Sequence, residues 1–187
     1  MTKGKKKLIT EYMSLVKSDC KNYSLLQKRL KELISEGVDI STQGAGGNTL
    51  LHLAISLNSE KLLTTYLKLG AKVNLANDTW DAPIHKAVSK GNLKLIKLLL
   101  DYGADINCPR ELEQTPLHLA VAQSNLEIVK FLVENGADIS LIDEGNNLPI
   151  DYAIDEKDVD VIKYLLTKQI VDEKRMEKIK AIINSEV

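Results

Sequence analysis

A 33-residue step, kept by two separate markers, constrains this 187-residue chain more than any other feature. Four segments align without a gap: Thr49-Leu-Leu-His-Leu-Ala54, Ala82-Pro-Ile-His-Lys-Ala87, Thr115-Pro-Leu-His-Leu-Ala120 and Leu148-Pro-Ile-Asp-Tyr-Ala153. Their fourth positions are His52, His85, His118 and Asp151. The second marker is Gly37, Gly70, Gly103 and Gly136, with Ala71, Ala104 and Ala137 after the last three. A period of this length marks a supersecondary unit that cannot bury its apolar face alone. Neighbouring units must therefore stack into a solenoid.

Each unit reads as two helices and a turn. Thr115 can cap a helix through its hydroxyl. Pro83, Pro116 and Pro149 then fall at the first helical position, where a missing N–H costs nothing. The first helix is short, roughly Pro116 to Gln123, and breaks at Gly91-Asn92 or Ser124-Asn125. The second helix spaces its apolar residues at i, i+3, i+6 and i+7, as Leu93, Ile96, Leu99 and Leu100, and again as Leu126, Val129, Leu132 and Val133. It ends at the glycine, which takes the left-handed backbone that stops a helix. The small Ala54, Ala87, Ala120 and Ala153 let adjacent first helices approach closely. Composition agrees: 44% of residues are hydrophobic but only 4% aromatic. A core of Leu, Ile, Val and Ala suits packed helices better than a β-sandwich.

Composition also narrows the function. Lys and Arg number 25 and Asp and Glu 26, a net charge of -1. Bulk charge thus gives no nucleic-acid footprint. No window approaches a membrane span. Leu8 and Ile9 follow the Lys3, Lys5, Lys6, Lys7 cluster, but Thr10 and Glu11 end the apolar run, so no secretion signal is expected. Cys20 and Cys108 make no C-x-x-C pair and read as reduced thiols of an intracellular, cytoplasmic protein. Without secretion, the sequons at Asn22 and Asn77 carry no meaning. The basic set is 22 Lys against 3 Arg, a bias associated with AT-rich genomes.

The chain resembles the ankyrin-repeat family. The resemblance rests on the T-P-L-H-x-A pattern, the 33-residue step and the tail Gly103-Ala104-Asp105-Ile106-Asn107. It implies an all-α solenoid of stacked helix pairs with β-hairpin fingers and a helical cap at each end. The expected divisions are an N-terminal cap with a degenerate repeat (1–40), four repeats (41–76, 77–109, 110–142 and 143–169) and a C-terminal capping helix (170–187). Within the first cap, helices are expected over 7–18, with Leu8, Ile9, Tyr12, Leu15 and Val16 on one side, and from Tyr23 to Ser35. Gln169 replaces the expected glycine, and Asp172 to Asn184 reads as the last helix, with Met176, Ile179 and Ile183 as its buried face.

Departures from the pattern are also informative. Leu50 replaces the first proline, and Ala82 and Leu148 replace the capping threonine, which weakens those helix starts by about 1 kcal/mol each. The finger glycine survives only as Gly47; its counterparts are Trp80, Glu113 and Asn146. Trp and Glu take a left-handed backbone poorly, so altered turns are expected in the second and third fingers.

No catalytic or metal constellation emerges. The three histidines fall one to a unit, which favours imidazoles that bridge backbone and threonine within the stack over a convergent site. Gly44-Ala45-Gly46-Gly47 lacks the Lys-Ser/Thr of a phosphate loop. Asp143-Glu144-Gly145-Asn146 is too short for a calcium loop. Cys108 reads as a small core residue, and the lysine cluster as a solvated terminus rather than a phosphate-contacting patch. No enzyme activity, cofactor or metal is expected.

The fingers carry the partner reading. Across 77–81, 110–114 and 143–147 the acids are Asp78, Asp81, Glu111, Glu113, Asp143 and Glu144, against Arg110 alone, a net charge of -5. Lys97, Lys130 and Lys163 recur on the second helices behind. Trp80 is the only Trp, and exposed aromatics are enriched as binding anchors; the competing reading has it fold over the next finger. With Thr79, Lys90, Tyr102, Leu112 and Gln123, these residues form the expected contact set. The family resemblance implies a protein partner, here one with a basic or amphipathic segment, and neither nucleic acid nor membrane. The free chain is expected to be monomeric and to serve as adaptor, inhibitor or host-directed effector of an intracellular microbe. A structural array or self-associating scaffold is the alternative, and a small enzyme or metal protein a third class.

Overall fold

The computed structural model describes residues 3–19, 21–169 and 171–184, which leaves Cys20 outside it. Among the described residues the secondary structure is helical throughout. The helices are α1 (Lys3–Ser18), α2 (Tyr23–Ser35), α3 (Leu50–Ser56), α4 (Glu60–Lys68), α5 (Pro83–Ser89), α6 (Leu93–Asp101), α7 (Pro116–Ala122), α8 (Leu126–Glu134), α9 (Pro149–Asp155), α10 (Val159–Leu166) and α11 (Glu173–Asn184). They fall into two compact units, Met1–Ala104 and Asp105–Val187. In the first, α1 packs on α2, α3 on α4, α5 on α6, and the pairs stack as α3 on α5 and α4 on α6. In the second, α7 packs on α8 and α9, α10 on α8 and α9, and α11 on α9 and α10.

Local chemistry sets each helix pair. Asn58, Gly91, Ser124 and Lys157 all take a left-handed backbone, with φ of 53°, 64°, 52° and 56°. Each turns the chain into a capping residue. Ser59, Asn92, Asn125 and Asp158 then accept backbone N–H groups from the first turns of α4, α6, α8 and α10. At the far ends, Gly70, Gly103 and Gly136 reverse the chain with φ of 84°, 82° and 95°. The alanine after each glycine donates its N–H back to Tyr66, Leu99 or Leu132, which satisfies carbonyls the helix leaves open.

The core is aliphatic. Ala54, Ala87, Ala120 and Ala153 are fully buried, as close approach of first helices requires. The large exceptions are Tyr12 and Tyr66, whose rings meet edge-on at 6.5 Å with their hydroxyls 3.3 Å apart. Helix α1 buries Ile9, Tyr12, Met13 and Val16, while Leu8 and Leu15 are half-buried. Helix α11 buries Ile179, with Met176 and Ile183 half-buried.

The fingers are shorter than hairpins. No strand occurs among the described residues. Across the ends of each loop runs a single backbone bond, Gly44 N to Asn48 O, Asn77 N to Asp81 O, Arg110 N to Gln114 O and Asp143 N to Asn147 O, with a tighter turn bond inside it. Neighbouring loops are joined by Asp78 N to Gly46 O in the first unit and Glu144 N to Leu112 O in the second. One rung per loop leaves no run of paired residues that would form a strand.

Removal of residues 170–187 should strip Ile179 from α9 and α10 and lower stability by at least about 2 kcal/mol, the scale of one lost aliphatic burial. Thermal unfolding and sedimentation of the truncated chain are the measurement. A truncated chain as stable and as monodisperse as the whole would refute the cap assignment.

Candidate functional site

The histidines form a row of links rather than a pocket. Thr49 donates its N–H to His52 Nδ1 at 3.2 Å, and Thr49 Oγ1 lies 2.9 Å from the same nitrogen. Nδ1 is therefore an acceptor, and Nε2 carries the proton. Nε2 donates it to the carbonyl of Asp81, in the next finger, at 2.8 Å. The second unit repeats this: Thr115 N to His118 Nδ1 at 3.2 Å, and His118 Nε2 to Asn147 O at 3.1 Å. His85 likewise accepts from the N–H that opens its own helix, Ala82 N at 3.1 Å, where alanine supplies no hydroxyl. All three rings are buried, at 1%, 0% and 1% exposure. Burial holds His52 and His118 below the usual imidazole range, even though their backbone bonds oppose it.

Asp151 stands where a fourth histidine would. Leu148 donates its N–H to Asp151 Oδ2 at 2.8 Å, as the other caps do to imidazole. The other side is inverted. The carboxylate accepts from Arg175 of α11, Nε to Oδ1 at 2.7 Å and Nη2 to Oδ2 at 2.7 Å, and Arg175 also pairs with Asp172. A histidine donates to a following finger; this aspartate receives from α11.

The fingers hold strained backbones. Gly47 has φ 67°, and a side chain there would run into Asp78. At its counterparts the same left-handed backbone is kept: Trp80 at 59°, Glu113 at 57° and Asn146 at 60°. The third finger keeps the turn of the first, since Leu112 at 62° and Glu113 match Gly46 at 66° and Gly47. The second finger is altered, because Trp80 is left-handed alone, as Asn146 is in the fourth. A left-handed non-glycine residue costs about 1–2 kcal/mol.

The expected contact residues divide between the units. In the first, Asp78, Thr79, Lys90 and Trp80 are exposed, Trp80 at 68% and Tyr102 at 39%. Asp81 is half-buried, its carbonyl taken by His52. In the second, Glu111, Glu113, Gln123 and Glu144 are exposed, with Leu112 at 55%. Lys90 and Gln123 occupy equivalent places, the C-caps of α5 and α7. Asp143 is the exception: 6% exposed, it accepts from Asn147 N at 2.9 Å and from the Tyr152 hydroxyl at 2.6 Å. Burial alone would raise its pKa, but these bonds outweigh it and hold the carboxyl below the usual range. Its charge closes the finger from inside, as the Asn77 side chain does by accepting from Asp81 N at 3.0 Å. It is not offered at the surface. Lys97, Lys130 and Lys163 are exposed. Cys108 is half-buried, and burial pushes its thiol up to about 12, far from a reactive thiolate.

A whole-chain charge count hides one property. Residues 1–104 hold 16 Lys and Arg against 9 Asp and Glu, a net of +7. Residues 105–187 hold 9 against 17, a net of -8. A running count along the chain would have found it.

Among the described residues no cluster of His, Cys, Asp and Glu could hold a metal ion, and no helix is long and apolar enough to cross a membrane. A family model for ankyrin repeats (3 copies) matches residues 20–110 and 84–175. No curated protein matches the chain.

The lowered pKa of His52 and His118 fixes the sign of a pH effect. The unfolded chain takes up protons near pH ~6.5; the folded chain resists until lower pH. Stability present above that value is therefore lost as pH falls toward the folded pKa values. Urea unfolding should give a smaller stability at pH ~5 than at ~7.5. His118→Ala should cost about 1–3 kcal/mol at the higher pH by leaving the Thr115 N–H unpaired, and should flatten the pH dependence. An undiminished slope in the variant would remove His118 from this account.

Proposed function

Because the chain belongs to the ankyrin-repeat family, we propose that it is a protein-binding module that works through its fingers and the adjoining ends of its first helices. Ankyrin repeats are protein–protein interaction modules. The observation that carries the reading is strain without packing. Trp80, Leu112 and Glu113 all hold left-handed backbones, yet all three side chains are exposed. Glycine would serve the fold better at each, so these side chains are kept for something outside it.

On this reading the first unit presents Asp78, Thr79, Trp80, Lys90 and Tyr102. The second presents Glu111, Leu112, Glu113, Gln123 and Glu144. Asp81 and Asp143 hold the loops in shape. The partner is a protein with a basic or amphipathic segment, met by a preformed surface that limits the ordering cost of binding. The chain does no chemistry of its own; it acts inside the cell as an adaptor, an inhibitor or a host-directed effector. The buried histidines support a role without catalysis, since both ring nitrogens of His52 and His118 are committed within the fold.

Acidic fingers would steer a basic partner, and that attraction is screened beyond ~8 Å at physiological salt. Charge reversal at Asp78, Glu111 and Glu113 should slow association and flatten its salt dependence. Trp80→Gly separates binding from folding. It should leave stability unchanged or raise it by up to about 1 kcal/mol, as the left-handed penalty is removed. It should speed dissociation and weaken binding by about 2 kcal/mol or more if the indole is an anchor. Plasmon-resonance kinetics with the captured partner, beside urea unfolding, provide both readings. A Trp80→Gly chain that loses stability but binds as before would refute the proposal.

A further inference from the structure

The first unit carries a second surface of opposite character, and it does not rest on the finger reading. A groove of about 430 Å³ runs between α1, the first finger and α3. Its floor includes Met13 and Leu53, and its polar walls include Ser14, Lys17, Asn48, Ser56 and Lys86. No carboxylate lines it. Neither Lys17 nor Lys86 forms an ion pair among the described residues. The unit around it carries the net charge of +7.

We propose that this groove docks an acidic, leucine- or methionine-bearing segment of a partner protein. The two ammonium groups supply the charge such a segment lacks, and the hydroxyl and amide groups supply further donors for its carboxylates. The thioether and leucine floor takes its apolar side chains. A single-stranded nucleic acid fits less well, because its bases need exposed aromatic platforms and the one ring on the groove, His52, is 1% exposed and held by Thr49 and Asp81. The surface is preformed by packing: Met13, 7% exposed, lies directly against Gly44 of the first finger. The positive surplus of its own unit favours an acidic ligand at this groove.

The test uses the intact ¹⁵N-labelled chain and a short synthetic peptide of Glu, Asp and Leu, with a Lys–Leu peptide and an oligothymidylate of matching length as comparisons. The acidic peptide should shift the amides of Ser14, Lys17, Asn48 and Ser56. Lys17→Ala with Lys86→Ala should weaken it about tenfold or more. Lys94→Ala with Lys97→Ala, on α6 of the same unit, should leave it unchanged. The proposal is overturned by shifts spread over the outer helices, equal loss from the α6 pair, tighter binding of the oligothymidylate, or no binding of the acidic peptide. Groove shifts that appear on concentrating the chain alone would assign the groove to a second copy and would equally overturn it. None of these variants touches a finger residue, so failure here and failure of the finger reading are read separately.

Discussion

The structure depends on a single side-chain device repeated with the period of the sequence. A buried imidazole accepts from the N–H that opens its own helix and donates to the carbonyl of the following finger. One ring thus satisfies an orphan donor at a helix start and an orphan acceptor in the next loop. Both would otherwise be buried and unpaired, at a cost of about 1–3 kcal/mol each. The neutral tautomer is required, because a second proton at Nδ1 would face the threonine N–H. Burial and proton inventory therefore support each other: the fold excludes water from the ring, and exclusion of water keeps the ring in the form the fold needs.

Around that row, each unit is knitted by smaller links of similar span. Ser41 Oγ accepts from Lys72 N at 2.9 Å, and Asn107 Oδ1 accepts from Asp138 N at 2.8 Å. In the second unit the Tyr152 hydroxyl accepts from Gln114 while donating to Asp143, and the ring meets His118 edge-on at 5.8 Å. The outward side chains take little part in any of this. The fingers can therefore vary in what they display without loss of their shape.

Much of this was legible before any coordinates. The period located the histidines, the turn glycines and the small alanines, and α2 runs from Tyr23 to Ser35, the range expected for a degenerate second helix. Helix α11 starts one residue later than expected because Asp172 serves as its cap, accepting from Arg175 N at 2.9 Å. The fingers were less legible. Intrinsic preference argues against left-handed Trp80 and Glu113, but bonds between neighbouring loops, Asp78 N to Gly46 O and Glu144 N to Leu112 O, override it. The burial of Asp143 escaped notice because its partner, Tyr152, lies on a helix that the loop sequence does not mention. The opposed charges of the two units escaped because they cancel in the total.

Asp151 has a bearing on how such a chain could lengthen. A repeat that ends in an acceptor is closed by an arginine and offers no donor to a further finger. Tandem duplication of the last unit would insert a copy that cannot grip its successor in the way the earlier units do. Extension past this unit by the same link would need histidine at position 151 together with displacement of Arg175. Asp151 and Arg175 therefore act as a pair, and the acceptor of this unit is filled from α11 instead of being a donor held out to another loop.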